Sequence, residues 1–529
     1  MKNEIGAQPD WQFYANFNPK TLDEILRRRA SRQPDYPLYT FLTDDDTCAR
    51  LTYAQLDTRA RAIGVLLQQY GAAGERVLLL FPPGLAYLEA FFGCLYAGAI
   101  AVPAYPPKVN RQSPRLLSIA ADSGATIALT NNTIFKRLPL EVLEHVRLQT
   151  LRWQVTDDVP DGLAEQWREP EAGGDSIAFL QYTSGSTAAP KGVMVTHANL
   201  IHNEQMLRLG FKLTDGTIVS WLPLYHDMGI IGMALLGVYS GVRCIMMPPA
   251  SFLQRPYRWL RAITEWGGTF TGAPNFAYDL CVRKVTPAQF ETLDLSSLIT
   301  AFNGAEPIRA GTLRNFAERF APCGFRHEAF SPGYGLAEGT LFVSCDTPGL
   351  DGDGYKAYTF ESAALEQNQA VEASGTDGNV TTLVSCGRPL LGQEVVIVNP
   401  ETRARLGPDE IGEIWVSGQS VAAGYWEKPE LTEQTFCAFV EGTGEGPFLR
   451  TGDLGFIHRG DLFIASRLKD LLIFGGRNFY PQDIELTVES CSEFIEVSAG
   501  LRRRAHQDRE HIENFERQNP ETCLPRKLS

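Results

Sequence analysis

A short apolar stretch, Ile177–Tyr182, runs directly into Thr183-Ser184-Gly185-Ser186-Thr187-Ala188-Ala189-Pro190-Lys191-Gly192. Apolar residues in so short a run, bounded by turn formers, read as a buried strand. The strand leads into a loop of hydroxyls and glycines closed by a lysine. Small residues let backbone N–H groups approach a phosphate, hydroxyls add hydrogen bonds, and Lys191 adds positive charge. The loop is not a Walker A sequence, because no Gly precedes the lysine and no Ser or Thr comes after it. Taken alone it reads more readily as a surface turn, since turn residues are common. Its companions along the chain decide between the two.

Around this loop, helix and strand signals alternate. Thr21 with Glu24 has capping-box spacing and predicts a helix ending before Pro34. Thr52 with Gln55 repeats the device, with Leu56, Ile63, Leu67 and Tyr70 on one face and Gly71 as the stop. Residues 77–81 form a short apolar run ended by Pro82-Pro83, a second buried strand, and Thr196 opens a helix ending near Gly210. Such alternation predicts an α/β protein with layered, mostly parallel sheets. After about Val395 the strands become short and turn-separated, which predicts a small β-rich subdomain over about 395–465. From residue 466 a strand over 470–474 and a helix from Pro481 predict a short partial α+β subdomain. The division expected is thus a large N-terminal domain, 1–465, followed by 466–529. The charged tail, about 500–529, is too poor in apolar residues to bury surface and is expected to be disordered.

Bulk properties exclude several function classes. A chain of 529 residues exceeds one hydrophobic core. Its net charge of −14 argues against nucleic acid as the main partner. The ten cysteines show no C-x-x-C pair or zinc spacing, which fits reduced thiols in the cytoplasm. Residues 85–105, the most membrane-like stretch, contain Glu89 and Gly or Pro interruptions, so a buried helix and strand are expected rather than a span. No G-x-S-x-G elbow occurs.

Further segments come after the loop in order: Trp221-Leu222-Pro223-Leu224-Tyr225-His226-Asp227-Met228-Gly229, Asn303-Gly304-Ala305-Glu306-Pro307, Tyr334-Gly335-Leu336-Ala337-Glu338, Thr451-Gly452-Asp453 and Arg467-Leu468-Lys469-Asp470. With residues 183–192 this ordered set resembles the core motifs of the adenylate-forming superfamily, which activates carboxylic acids with ATP. The resemblance spans about residues 21–489.

It implies a role for each residue. Thr183, Ser184, Gly185, Ser186, Thr187 and Lys191 would hold the phosphates of ATP. Gly304, Ala305 and Glu306 would frame adenine, with Tyr334 and Gly335 stacked beside it. Glu338 would ligate Mg²⁺, and a carboxylate oxygen suits that hard cation. Asp453 would accept from the ribose hydroxyls, with Arg467 as a further donor. His226 would stand beside the substrate carboxylate, and Lys469 would be the hinge between two catalytic poses. Residues 229–236 and 271–280, Phe276 among them, are expected to line an acyl tunnel.

Within the superfamily, three features resemble the fatty acyl-AMP ligases: the wording of residues 101–107 and 477–481, Ala337, and an inserted polar segment over about 345–382. That resemblance implies acyl-AMP formation from a fatty acid. The acyl group would then pass to the phosphopantetheine of an acyl carrier protein, or of a carrier domain in a polyketide or peptide synthase. Two alternatives stay open: a CoA-forming fatty acid synthetase, and a non-catalytic protein that binds ATP or acyl-adenylate. The second arises because no Ser-Gly-Lys occurs after residue 466, so a truncated or aberrant C-terminal subdomain and impaired catalysis are expected.

Overall fold

The computed structural model describes residues 11–14, 17–43, 47–107, 114–138, 146–183, 190–347, 354–375, 379–474 and 477–479. The centre of the Ser/Thr/Gly loop expected to hold phosphates (Ser184, Gly185, Ser186 and Thr187), the helix expected from Pro481 and the C-terminal tail lie outside them.

Two large sheets carry the molecule. The first has six strands in the order Arg152–Val155, Ile127–Thr130, Arg76–Leu80, Ile100–Pro103, Ile177–Tyr182 and Gly192–Thr196. The first five run parallel and the last pairs antiparallel. The second has nine. Its interior strands, Phe330–Gly335, Thr300–Asn303, Phe270–Ala273, Thr217–Ser220, Arg243–Met246 and Pro37–Leu42, are parallel. Strands such as Ile127–Thr130, Thr217–Ser220 and Phe270–Ala273 are buried along their whole length, which explains why they read as continuous apolar runs rather than alternating ones.

Helices cover the sheets as their caps predict. Thr52 and Gln55 form a reciprocal capping box at the start of Tyr53–Gln69, and Thr196 with Asn199 does the same for His197–Gly210. The helix Leu22–Arg32 starts where expected, but Thr21 makes no side-chain cap. Glu24 instead accepts from the Lys20 N–H at 2.9 Å, and the first-turn amide of Leu22 is taken by the His197 ring. Helix Leu85–Ala97 and strand Ile100–Pro103 account for the membrane-like stretch. No helix among the described residues is long and apolar enough to cross a membrane.

A third, antiparallel sheet contains Glu394–Val398, Gly412–Ser417, Leu449–His458 and Asp461–Arg467. The polar segment read over about 345–382 has secondary structure of its own. It forms a hairpin, Ala357–Glu361 with Val380–Val384, whose Phe360 and Leu365 are buried against Phe456 and Phe463 of the third sheet. Chain beyond that sheet turns back as a short hairpin, Leu472–Phe474 with Arg477–Phe479.

Candidate active site

Parallel strands place ligands in the crevice beyond their carboxyl ends, and the motifs sit there. Strand Thr217–Ser220 delivers Trp221 to Gly229, Thr300–Asn303 delivers Gly304 to Pro307, and Phe330–Gly335 delivers Glu338. From the six-stranded sheet, Ile177–Tyr182 delivers Thr183, whose N–H reaches the Lys191 carbonyl at 3.4 Å across the hairpin mouth.

Lys191 and Glu338 meet through a residue that none of the motifs contains. Tyr425 donates from its hydroxyl to Glu338 Oε1 at 2.7 Å, and Lys191 Nζ lies 5.1 Å from the centre of the same ring. Tyr425 is held in place by its backbone. Met194 N–H donates to the Gly424 carbonyl, Ala423 N–H donates to the Met194 carbonyl, and Tyr425 bridges Val193. The segment therefore adds a strand-like edge to the phosphate-loop hairpin. Its trace in the sequence is Gly424-Tyr425-Trp426, an aromatic pair between a glycine and Pro429, whose partner cannot be read locally.

At the other end, the Tyr334 hydroxyl donates to Asp453 Oδ2 at 2.6 Å, and Arg467 Nε stands 3.5 Å from Asp453 Oδ1. Burial pushes the Asp453 carboxyl up, against the opposing pull of Arg467 and the Tyr334 hydrogen bond, with Glu338 adding to the rise. Burial likewise pushes the Lys469 ammonium down, aided by Arg467. Lys469 feels the charges of Asp453 and Lys191 as well.

The segment Asn303–Pro307 has its own geometry. Ala305 adopts a left-handed backbone (φ +67°), uncommon for a residue with a Cβ. Glu306 Oε1 accepts from the Phe276 N–H at 2.6 Å, tying this segment to the helix Asn275–Lys284. A Cβ on Gly335 would overlap the Leu341 carbonyl oxygen, so only glycine lets the Tyr334–Glu338 segment pass that backbone.

His226 follows strand Thr217–Ser220 and has a half-exposed side chain. Its Nδ1 stands 2.6 Å from Asp227 Oδ1, which also accepts from Met228 N–H at 2.7 Å. The Asp227 charge raises the His226 pKa, outweighing the opposing effect of burial. Burial alone would raise Asp227; the imidazolium and the Met228 amide bring it below its ordinary value. Beside it, the Tyr225 and Tyr105 rings are 3.8 Å apart between centroids. The next apolar run is a π-helix, Ile230–Leu235, buried throughout. Phe276 is 39% exposed and meets Trp221 edge-on.

The residues so assembled offer a hairpin carrying Lys191, a carboxylate anchored by a tyrosine, a second acid held by tyrosine and arginine, and a histidine paired with an aspartate. Among the described residues no group of three or more His, Cys, Asp or Glu side chains is placed to hold a metal.

A family model described as AMP-binding enzyme matches residues 26–426. The chain is 44% identical over 488 residues to the medium-chain-fatty-acid–[acyl-carrier-protein] ligase JamA of Moorena producens, covering 91% of this chain and 82% of that protein. It is 40% identical over 497 residues to the long-chain-fatty-acid–AMP ligase FadD26 of Mycobacterium tuberculosis, covering 89% and 83%. Among solved structures, the fatty acyl-adenylate ligase of Legionella pneumophila, in complex with acyl adenylate and pyrophosphate, matches with a TM-score of 0.82 at 41% identity, covering 91% of this chain and 82% of that one. This chain belongs to the AMP-binding enzyme family, in its fatty acyl-AMP ligase branch.

Proposed function

We propose that the protein activates a fatty acid with ATP, giving acyl-AMP and pyrophosphate, and passes the acyl group to the phosphopantetheine thiol of an acyl carrier protein. The observation that carries this reading is the meeting of Lys191, Tyr425 and Glu338 at the strand ends, in a chain so similar to fatty acid–carrier protein and fatty acid–AMP ligases.

In the first step a carboxylate oxygen bonds to the α-phosphorus and the bond to the β-phosphate oxygen breaks. Two anions must approach, so fixed cations matter most. Lys191 and the loop over 183–187 take the phosphates, and His226, charged through Asp227, takes the fatty carboxylate. Tyr334, Gly335, Gly304, Ala305 and Glu306 frame adenine. Asp453 and Arg467 take the ribose. Glu338 is the residue suited to Mg²⁺, which commonly needs one or two protein carboxylates because substrate phosphates complete its shell. Such an ion would neutralise charge on the phosphates. In the second step the thiol sulfur attacks the acyl carbonyl and AMP leaves, with Lys469 as the pivot between the two poses. We divide the chain accordingly into an adenylation domain, 1–465, and a C-terminal subdomain from 466. The described cysteines are all free thiols, which fits the cytoplasm.

Purified protein with ATP, Mg²⁺ and dodecanoic acid should release pyrophosphate and form acyl-AMP, detected by mass spectrometry. Adding a phosphopantetheinylated carrier protein should yield acyl-carrier protein, whereas CoA should yield no acyl-CoA. Acyl-CoA as the main product would assign the protein to CoA-forming chemistry instead.

A further inference from the structure

Glu413 is a charged residue that none of the site motifs contains, yet it is 2% exposed. It lies on strand Gly412–Ser417, opposite the irregular stretch of Leu449–His458. There Trp415 pairs with Arg450 and Glu413 with Leu454, so Thr451, Gly452 and Asp453 bulge out against a single residue, Ile414. A bulge leaves backbone donors without a ladder partner. Glu413 supplies one: its Oε1 accepts the Gly452 N–H at 3.2 Å. Its Oε2 is fixed in turn by Arg450 Nη2 at 2.8 Å and Nε at 3.0 Å, and by Trp415 Nε1 at 2.9 Å. The carboxylate is thereby neutralised and immobilised.

On its other side the bulge reaches the hinge segment without a gap: the Gly452 carbonyl accepts the Leu468 N–H at 2.9 Å, between Arg467 and Lys469. Thr451 Oγ1 donates to the Ile414 carbonyl at 2.7 Å and accepts the Asp453 N–H at 3.1 Å. Gly452 is left-handed (φ +72°), a conformation that glycine adopts without strain and a residue with a Cβ would not.

We propose that Glu413 is the positioning residue for the nucleotide's ribose: through Gly452 it sets Asp453, and through the Gly452 carbonyl it registers the Arg467–Lys469 segment against the same ribose. The proposal rests on Asp453 being the ribose contact. Buried partners of this kind act through the group they orient, as the outer partners of metal ligands do, where their loss typically costs about 10–100-fold.

The test is acyl-AMP formation by the full chain with ATP and with 2′,3′-dideoxy-ATP, in wild type, E413Q, E413D and W415F. Wild type should prefer ATP. E413Q should raise KM for ATP about 10-fold, leave KM for the fatty acid within about twofold, and lose most of the preference for ATP. E413D, which draws the carboxylate back by one methylene, should fall between. W415F keeps the bond to Gly452 and should lower Tm while keeping the preference. A wild type that uses both nucleotides equally removes the ribose reading of Asp453, and this proposal with it. A preference retained in E413Q and E413D, or lost equally in W415F, overturns the role of Glu413 alone.

Discussion

Tyr425 donates its hydroxyl hydrogen to Glu338 Oε1 at 2.7 Å while its ring lies beneath the Lys191 ammonium, so one side chain links an anion and a cation from two different sheets. Tyr425→Phe keeps the ring and removes the link to Glu338. A hydrogen bond to a charged group contributes about 1.5–3 kcal/mol, so kcat/KM for acyl-AMP formation should fall about 10-fold, with a higher Mg²⁺ requirement. Steady-state kinetics across a Mg²⁺ titration reads both. Unchanged kcat/KM and an unchanged Mg²⁺ midpoint would show that Tyr425 only packs.

With His226 as the proposed carboxylate contact, the His226–Asp227 pair should make fatty-acid use pH-dependent in a defined direction. Asp227 raises the His226 pKa above its ordinary 6.5, so the ring stays charged at pH values where a free histidine is neutral. Attraction for a carboxylate is present below that raised pKa and is lost as pH rises through it. kcat/KM for the fatty acid should therefore decline on the alkaline side of 6.5. Asp227→Asn removes the charge responsible and should move the decline to lower pH, leaving KM for ATP nearly unchanged. Profiles of wild type and variant that superimpose would remove His226 from carboxylate binding.

Much of this arrangement is legible in the sequence because most of the motifs begin at or near the end of a short apolar strand, Thr451-Gly452-Asp453 inside Leu449–His458 being the exception. Asn303-Gly304 and Gly333-Tyr334-Gly335 mark strand ends by their loss of side-chain bulk. Tyr425 and Glu413 are not legible in the same way. Their partners are set by pairing between segments far apart in the chain, residues 192–196 with 423–426 in one case and a bulge against Ile414 in the other. The π-helix Ile230–Leu235 is equally hidden, since a run that is apolar on every side has no face to distinguish a period of 3.6 from a wider one. Thr21 shows the local limit: the spacing for a capping box is present, but Glu24 finds the Lys20 amide first.

Gly335→Ala should be far more costly than an ordinary Gly→Ala change. The added Cβ meets a backbone carbonyl, that of Leu341, which cannot rotate away as a side chain would. Relief requires moving the strand Phe330–Gly335, and with it Tyr334 and Glu338. We expect a loss on the order of 3 kcal/mol or more, in the range reserved for core overpacking and backbone strain, together with loss of ATP binding by calorimetry. A well-folded variant that binds ATP normally would show that the segment tolerates displacement.

Glu204 gives the most direct test of the core's electrostatics. It sits on His197–Gly210, fully buried, and neither carboxyl oxygen has a hydrogen-bond partner among the described residues. Burial pushes its pKa well above 4.5. The folded protein therefore retains a proton that the unfolded chain releases once pH passes about 4.5. With more protons bound in the native state, stability falls as pH rises through that window, by up to about 1.4 kcal/mol per pH unit for one group. Glu204→Gln cannot ionise and removes this slope. Urea unfolding at about pH 5, 6, 7 and 8 should show the two proteins close together at the acid end, with the variant increasingly the more stable toward the alkaline end. Parallel stability curves would mean that Glu204 ionises in the folded protein as readily as in the unfolded chain, with its charge stabilised from within the core.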